Sequence, residues 1–221
     1  MQDASFNDDL EIDNLPNRLT IFRVALIPLV IGCLYFANSN IAWLLNYQSL
    51  LGWIAGWIFT VAAITDFFDG FIARKRNIVT VFGSFLDPIA DKFLTVSSLI
   101  MLQFLDRLPA LIVIVLVLRE MYMTSLRLLA TNEGLSVPVN QLGKWKTATM
   151  MMGIPMLMAN ETWSLLPQFP MPLVGLVLIY IAAILSLWSA ITYTYNMIQK
   201  LKLSRQNKKK KNKLTGEAAH E

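Results

Sequence analysis

Between Asp66 and Asp91 the sequence reads D-F-F-D-G-F-I-A-R-K-R-N-I-V-T-V-F-G-S-F-L-D-P-I-A-D. Asp66 and Asp69 are three positions apart, so on a helix they share a face, and Gly70 and Arg74 continue it in steps of four. Gly83, Asp87 and Asp91 are also spaced by four and give a second polar stripe. The two stripes flank a short loop, so their helices are antiparallel neighbours that can face each other. Four carboxylates cannot share a low-dielectric pocket without cations. An all-oxygen donor set selects hard ions, magnesium, manganese or calcium, and zinc is disfavoured with no histidine or cysteine nearby. Gly70, Ala73 and Gly83 leave room for a ligand to approach the backbone, or for close helix packing. Arg74 is suited to a phosphate, which a guanidinium meets bidentately. A lone pair of aspartates at a membrane interface is as readily a solvated loop-side pair. Four carboxylates in this pattern beside Arg74 are not.

The elements that must carry these residues are apolar. The chain has 221 residues, 55% hydrophobic and only 15% charged, with a mean hydropathy of +0.51. A soluble domain carries roughly 25% charged residues. The single cysteine, Cys33, lies in an apolar run and has no internal disulfide partner. The acidic first fourteen residues contain no lysine or arginine, so they do not form a secretory signal. Six stretches are long enough to cross roughly 30 Å of hydrocarbon. They run about Leu19–Ala37, Leu50–Ala73, Gly83–Leu105, Leu108–Ala130, Trp145–Leu166 and Met171–Ile198. Leucine, isoleucine and methionine dominate, which predicts helices rather than short alternating strands. The expected fold is an all-α polytopic membrane protein. Its six transmembrane helices surround a polar cavity open to the cytoplasmic side.

With the N-terminus inside, 18 of the 19 lysines and arginines fall on the cytoplasmic side and only Arg107 falls outside. The positive-inside rule therefore sets both termini in the cytoplasm. Arg23, the four aspartates, Arg74, Arg119, Glu120, Arg127, Lys144 and Lys146 then converge at one leaflet, as residues around a wet cavity do. Basic residues that flank apolar spans favour a membrane surface over nucleic acid. Residues 1–14 read as a cytoplasmic or interfacial segment, 15–199 as the transmembrane catalytic domain, and 200–221 as a solvated, disordered basic tail.

The pattern D-x-x-D-G-x-x-A-R, eight residues, then G-x-x-x-D-x-x-x-D resembles the signature of the CDP-alcohol phosphotransferase family. Asp66, Asp69, Gly70, Ala73, Arg74, Gly83, Asp87 and Asp91 match it in full. The resemblance implies a six-helix membrane fold, a homodimer and two bound metal ions, magnesium or manganese. It implies transfer of a phosphoryl-linked group from a CDP-alcohol to an acceptor hydroxyl, with release of CMP. Asp66, Asp69 and Asp87 would be metal ligands, Asp91 both ligand and general base, and Gly70, Ala73 and Arg74 contacts to the CDP moiety, with Gly83 beside them. Two metals can neutralise the diphosphate and the leaving CMP, and a carboxylate beside the acceptor hydroxyl can take its proton.

Three further stretches bear on the acceptor: N-L-P-N-R-L-T-I-F-R before the first span, L-R-E-M-Y-M-T-S-L-R-L-L-A in the fourth, and G-K-W-K-T opening the fifth. They resemble the bacterial branch of the family that uses CDP-diacylglycerol and glycerol 3-phosphate, in the inner (cytoplasmic) membrane. Arg119 and Arg127, eight apart and expected on one helical face, together with Lys144 and Lys146 brought near by a short loop, supply more positive charge than an uncharged acceptor needs and suit an acceptor phosphate. Ordinary positive-inside anchoring is the alternative reading of Arg127 and Lys144. Glu120 is a candidate partner for Arg119, although adjacent helix positions point apart. Asn17, Thr20 and Arg23 step along the first helix towards the nucleotide or acceptor. Arg23 is alternatively an interfacial anchor. Other acceptors in the same family are serine, inositol phosphate and phosphatidylglycerol. A divalent-cation transporter would need polar residues continuing to the outer side, and the outer halves of these spans lack them.

Overall fold

The computed structural model describes residues 15–39, 41, 43–76, 81–135, 141–160 and 170–217. Within its helices, the side chains of 15–19, 66–76, 81–88, 91, 204 and 207–217 lie outside that description. The described residues form helices α1 (Leu15–Ala37), α2 (Gln48–Arg76), α3 (Val81–Phe104), α4 (Ala110–Asn132), α5 (Gln141–Ala159) and α6 (Met171–Glu217), with a 3-10 turn at Leu45–Tyr47. No strand occurs among them. Three stretches are long and apolar enough to cross a membrane: Thr20–Ala37, Leu45–Thr65 and Met171–Leu203. The charges of Asp87, Asp91, Arg119, Glu120, Arg127, Lys144 and Lys146 fall on the other three helices, α3, α4 and α5.

Two boundaries differ from the sequence expectation. The fifth span was expected to reach Leu166, but α5 stops at Ala159. Asn160 adopts a left-handed conformation, φ 51°, and donates its N–H to the Met156 carbonyl at 3.3 Å, which closes the helix. The basic tail, expected to be disordered, continues α6 to Glu217. Between Pro172 and Gly216 only Gly175 interrupts a run free of proline and glycine, and the tail is rich in lysine, leucine and arginine, all good helix formers.

The chain divides into two compact units, residues 1–113 with 149–180, and residues 114–148 with 181–221. In the first, α1 packs against both α2 and α3. Its buried positions are Thr20, Arg23, Ile27, Val30, Leu34 and Ala37, alternating steps of three and four along one face. The stripe is apolar except at its first two positions. Small residues on α2 bring α5 close. A Cβ on Gly52 would lie 2.6 Å from the Met158 carbonyl oxygen, and one on Gly56 would lie 3.1 Å from that of Pro155.

The end of α3 gives Arg107, the basic residue expected on the outer side, a structural role. Asp106, φ 55°, donates its N–H to the Gln103 carbonyl, and Arg107 donates its own to Leu102, both at 3.0 Å. This paired closure is a Schellman turn. It delivers the Arg107 guanidinium to the end of α5, where Nη1 donates to the carbonyls of Leu157 at 3.1 Å and Met158 at 2.6 Å. Those carbonyls have no intrahelical donor, and a cation complements the negative end of the helix dipole. Burial draws the Arg107 guanidinium below its ordinary pKa.

In the second unit, Met123, Ala130, Ala190, Tyr193 and Met197 form a core between α4 and α6. α4 closes by another Schellman turn at Gly134, φ 67°: Gly134 donates to Thr131 at 3.0 Å and Leu135 to Ala130 at 2.8 Å. Leu135 packs on the core, the apolar contact that accompanies this closure.

Candidate functional site

Asp66, Asp69, Gly70, Ala73 and Arg74 lie on the last turns of α2, and Gly83, Asp87 and Asp91 on the first turns of α3. Only residues 77–80 join Arg76 to Val81, so these helix ends stand no more than about 18 Å apart. The backbone thus brings both polar stripes to neighbouring ends of consecutive helices. Their side chains lie outside the described residues. The donor set fits a hard divalent cation: all its ligating groups are carboxylates, carried on helices rather than on a loop. Among the described residues no other group of three or more His, Cys, Asp or Glu could hold a metal.

The start of α1 belongs to the same unit. Thr20 and Arg23 are both 1% exposed, and Arg23 is among the largest fully buried side chains. A lipid-facing anchor would be exposed, so the interfacial-anchor reading of Arg23 does not hold. Its side chain is buried on the face by which α1 packs against α2 and α3. Asn17 lies one turn earlier on α1, its side chain outside the described residues.

The basic residues of α4 and α5 behave unequally. Arg119 and Lys146 are buried, 7% and 4% exposed, and both bond Glu120. Arg119 Nη1 donates to Glu120 Oε1 at 3.0 Å, Lys146 Nζ donates to the same oxygen, and Arg119 Nε donates to the Ser186 carbonyl at 3.0 Å. The Arg119–Glu120 pairing that the sequence suggested, against the objection that adjacent positions point apart, is formed. Adjacent Cβ atoms do diverge, but the long Arg119 side chain spans that divergence and Lys146 approaches from another helix. A carboxylate next to an arginine within an apolar stretch was the available signal.

Arg127 and Lys144 are exposed and make no such contact. Helix geometry gives the reason. Eight residues rotate a helix by about 80° beyond two full turns, so Arg127 leaves the face of Arg119. Two residues rotate it by about 200°, which puts Lys144 opposite Lys146. The structure therefore brings together two of the four predicted acceptor cations.

Carboxylates and glycines thus lie on the ends of two consecutive helices, in a chain with apolar helices long enough to cross a membrane. The chain belongs to the CDP-alcohol phosphatidyltransferase family, which matches residues 13–188. It is thus a transferase of a family that works with divalent metal ions.

Among its relatives, a protein of Rickettsia bellii (strain RML369-C) named CDP-diacylglycerol–glycerol-3-phosphate 3-phosphatidyltransferase is 40% identical over 184 residues, covering 82% of this chain and 93% of that one. A Bacillus subtilis (strain 168) protein of the same name is 38% identical over 190 residues, covering 82% and 89%. A rice (Oryza sativa subsp. japonica) protein named cardiolipin synthase (CMP-forming) is 37% identical over 196 residues, covering 81% of this chain but only 56% of the rice protein.

Proposed function

We propose that this protein transfers the phosphatidyl group of CDP-diacylglycerol to the hydroxyl of glycerol 3-phosphate, releasing CMP and forming phosphatidylglycerophosphate. The observation that carries the acceptor is the buried pair Arg119 and Lys146, 7% and 4% exposed. Burying two cations is costly unless anions meet them, and a phosphate monoester is a matching anion. An uncharged acceptor such as serine needs no such pair. The relatives from Rickettsia bellii and Bacillus subtilis carry the same substrates in their names.

Asp66, Asp69, Asp87 and Asp91 would hold two magnesium or manganese ions. When bound, these neutralise the diphosphate and the departing CMP. Asp91 takes the proton of the acceptor hydroxyl as it attacks the phosphorus attached to the diacylglycerol, and the bond to the CMP oxygen breaks. Gly70, Ala73 and Gly83 let the CDP moiety approach the helix backbones, with Arg74, Asn17 and Thr20 as its polar contacts. Arg119 and Lys146 hold the acceptor phosphate, while Arg127 and Lys144, being exposed, raise the local positive potential. The reading carries with it six spans over residues 15–199, a polar cavity on the cytoplasmic side, both termini in the cytoplasm and a homodimer in the bacterial inner membrane.

The rice relative favours a second acceptor, phosphatidylglycerol, which carries a phosphodiester instead of a monoester. Purified protein given CDP-diacylglycerol with each acceptor in turn decides between them. The account predicts product with glycerol 3-phosphate, and a cardiolipin product in its place overturns it.

A further inference from the structure

We infer that Glu120 is the positioning residue of the acceptor-phosphate site: it holds Arg119 and Lys146 side by side, and acceptor affinity depends on it. This rests on the reading of those two cations as the acceptor site. Glu120 has no assigned part in the transfer chemistry.

The geometry has three parts. First, one carboxylate oxygen of Glu120 accepts from both Arg119 Nη1 and Lys146 Nζ, so a single atom sets the spacing between cations from two helices. Arg119 and Lys146 are almost wholly buried, and without that oxygen their mutual repulsion is little screened. Second, Arg119 is also fixed from the other side, where Nε donates to the Ser186 carbonyl on α6 at 3.0 Å. The guanidinium is planar and rigid, so two anchored nitrogens set the direction of the whole fork. Third, both anchors leave Nη2 unused. It has no protein partner among the described residues and keeps two N–H donors for an oxyanion.

That third feature separates two roles for the carboxylate. A placeholder occupying the acceptor's position would have to leave before phosphate could bind. Glu120 instead accepts from Nη1 alone and leaves the Nη2 edge open, which is the arrangement of a support. Ser186 adds to the picture: its hydroxyl is fully buried and has no partner among the described residues. The segment of α6 that anchors Arg119 thus also carries a spare polar group.

The test is steady-state kinetics on the full-length protein in CDP-diacylglycerol mixed micelles, varying each substrate separately. Glu120→Gln keeps the shape and removes the charge. Losing one charge-assisted contact to each cation should raise KM for glycerol 3-phosphate about tenfold or more. The KM for CDP-diacylglycerol and the kcat at saturating acceptor should stay within about twofold, a split that general loss of folded protein does not produce. Glu120→Asp should recover part of the affinity. In a Lys146→Ala background, Glu120→Gln should add much less than it does alone, because it acts through the missing ammonium.

A lower KM for glycerol 3-phosphate in Glu120→Gln shows a displaced placeholder and overturns the inference. Equal changes in both KM values, or a fall in kcat alone, also overturn it. An unchanged acceptor KM in Lys146→Ala overturns the acceptor-site reading itself, and the role of Glu120 with it. A raised KM in Lys146→Ala with none in Glu120→Gln overturns only the positioning role.

Discussion

Asp66, Asp69, Asp87 and Asp91 lie on two consecutive helices, α2 and α3, whereas the cation region draws Arg119 and Glu120 from α4, Lys146 from α5 and the Ser186 carbonyl, 67 positions from Arg119, from α6. The two regions manage charge differently. The four carboxylates are of one sign, and on the proposed metal reading their partners are cations from outside the protein. The cation region contains its own counter-ion, Glu120, and a backbone anchor on a third helix, at Ser186. A site that recruits its charge partner as a metal can be written locally in the sequence. A site that offsets part of its own charge, one carboxylate against two cations, is assembled by tertiary packing, and its spacing does not show along the chain.

Metal removal is the strongest way to break this comparison. Excess chelator should abolish CMP release, and magnesium or manganese should restore it. Arg119→Ala should leave the metal concentration for half-activation unchanged, since its charge belongs to the other region. Activity that persists in excess chelator contradicts the metal reading of the four aspartates.

The next largest effect falls on the proton acceptor. Asp91→Asn should lower kcat by about 10²–10⁴-fold, the usual size of a general-base contribution, with helicity by circular dichroism unchanged. Turnover near that of the parent protein removes Asp91 from that role.

A smaller effect sharpens the cation region. Lys146→Ala should raise KM for glycerol 3-phosphate by about tenfold or more, the scale of a lost charge-assisted contact. Arg127→Ala and Lys144→Ala, at exposed positions, should change it by less than about threefold and mainly at low salt. Equal effects at all four positions would mean that the cations act as a diffuse field, not as a buried pair.

The smallest effects concern the scaffold. Gly52→Ala would place a Cβ 2.6 Å from the Met158 carbonyl oxygen and should cost about 1–3 kcal/mol. Arg107→Ala uncaps the same end of α5 and should cost about 1.5–3 kcal/mol, the scale of a hydrogen bond from a charged donor. Denaturation in detergent reads both, and the aspartate chemistry should survive in the protein that remains folded.

Much of the fold was legible because membrane helices announce themselves by length and composition. Each of the six expected spans coincides with a helix, and α1 to α4 agree within a few residues at each end. The misses lie where composition is silent. Asn160 ends α5 by a backbone conformation that asparagine permits but does not impose. The basic tail was expected to be disordered from its charge, while its freedom from internal breakers carries the helix on to Glu217. Arg107 stood out as the one outer cation, yet its partners are the carbonyls of Leu157 and Met158, about fifty positions away, which carry no sequence signal.

In the site, the spacing of Asp66 to Asp91 suffices to place the carboxylates on neighbouring helix ends. Counting cations near one leaflet found Arg119 and Lys146 but also gathered Arg127 and Lys144. Helical phase, at 100° per residue, separates the buried pair from the exposed one. The pairing of Glu120 with Arg119 was legible despite their adjacency, because the rule about diverging Cβ directions is one that a long arginine side chain can evade, whereas the contact of Glu120 with Lys146, 26 positions on, was not.

The central claim is that the carboxylates drive phosphatidyl transfer while the buried cations choose a phosphorylated acceptor. The most direct measurement supplies purified protein with CDP-diacylglycerol and magnesium, and compares products formed with glycerol 3-phosphate, serine, inositol phosphate and phosphatidylglycerol. The account predicts phosphatidylglycerophosphate and CMP in equal amounts with glycerol 3-phosphate and no lipid product with serine. A serine-linked product, with none from glycerol 3-phosphate, would contradict it.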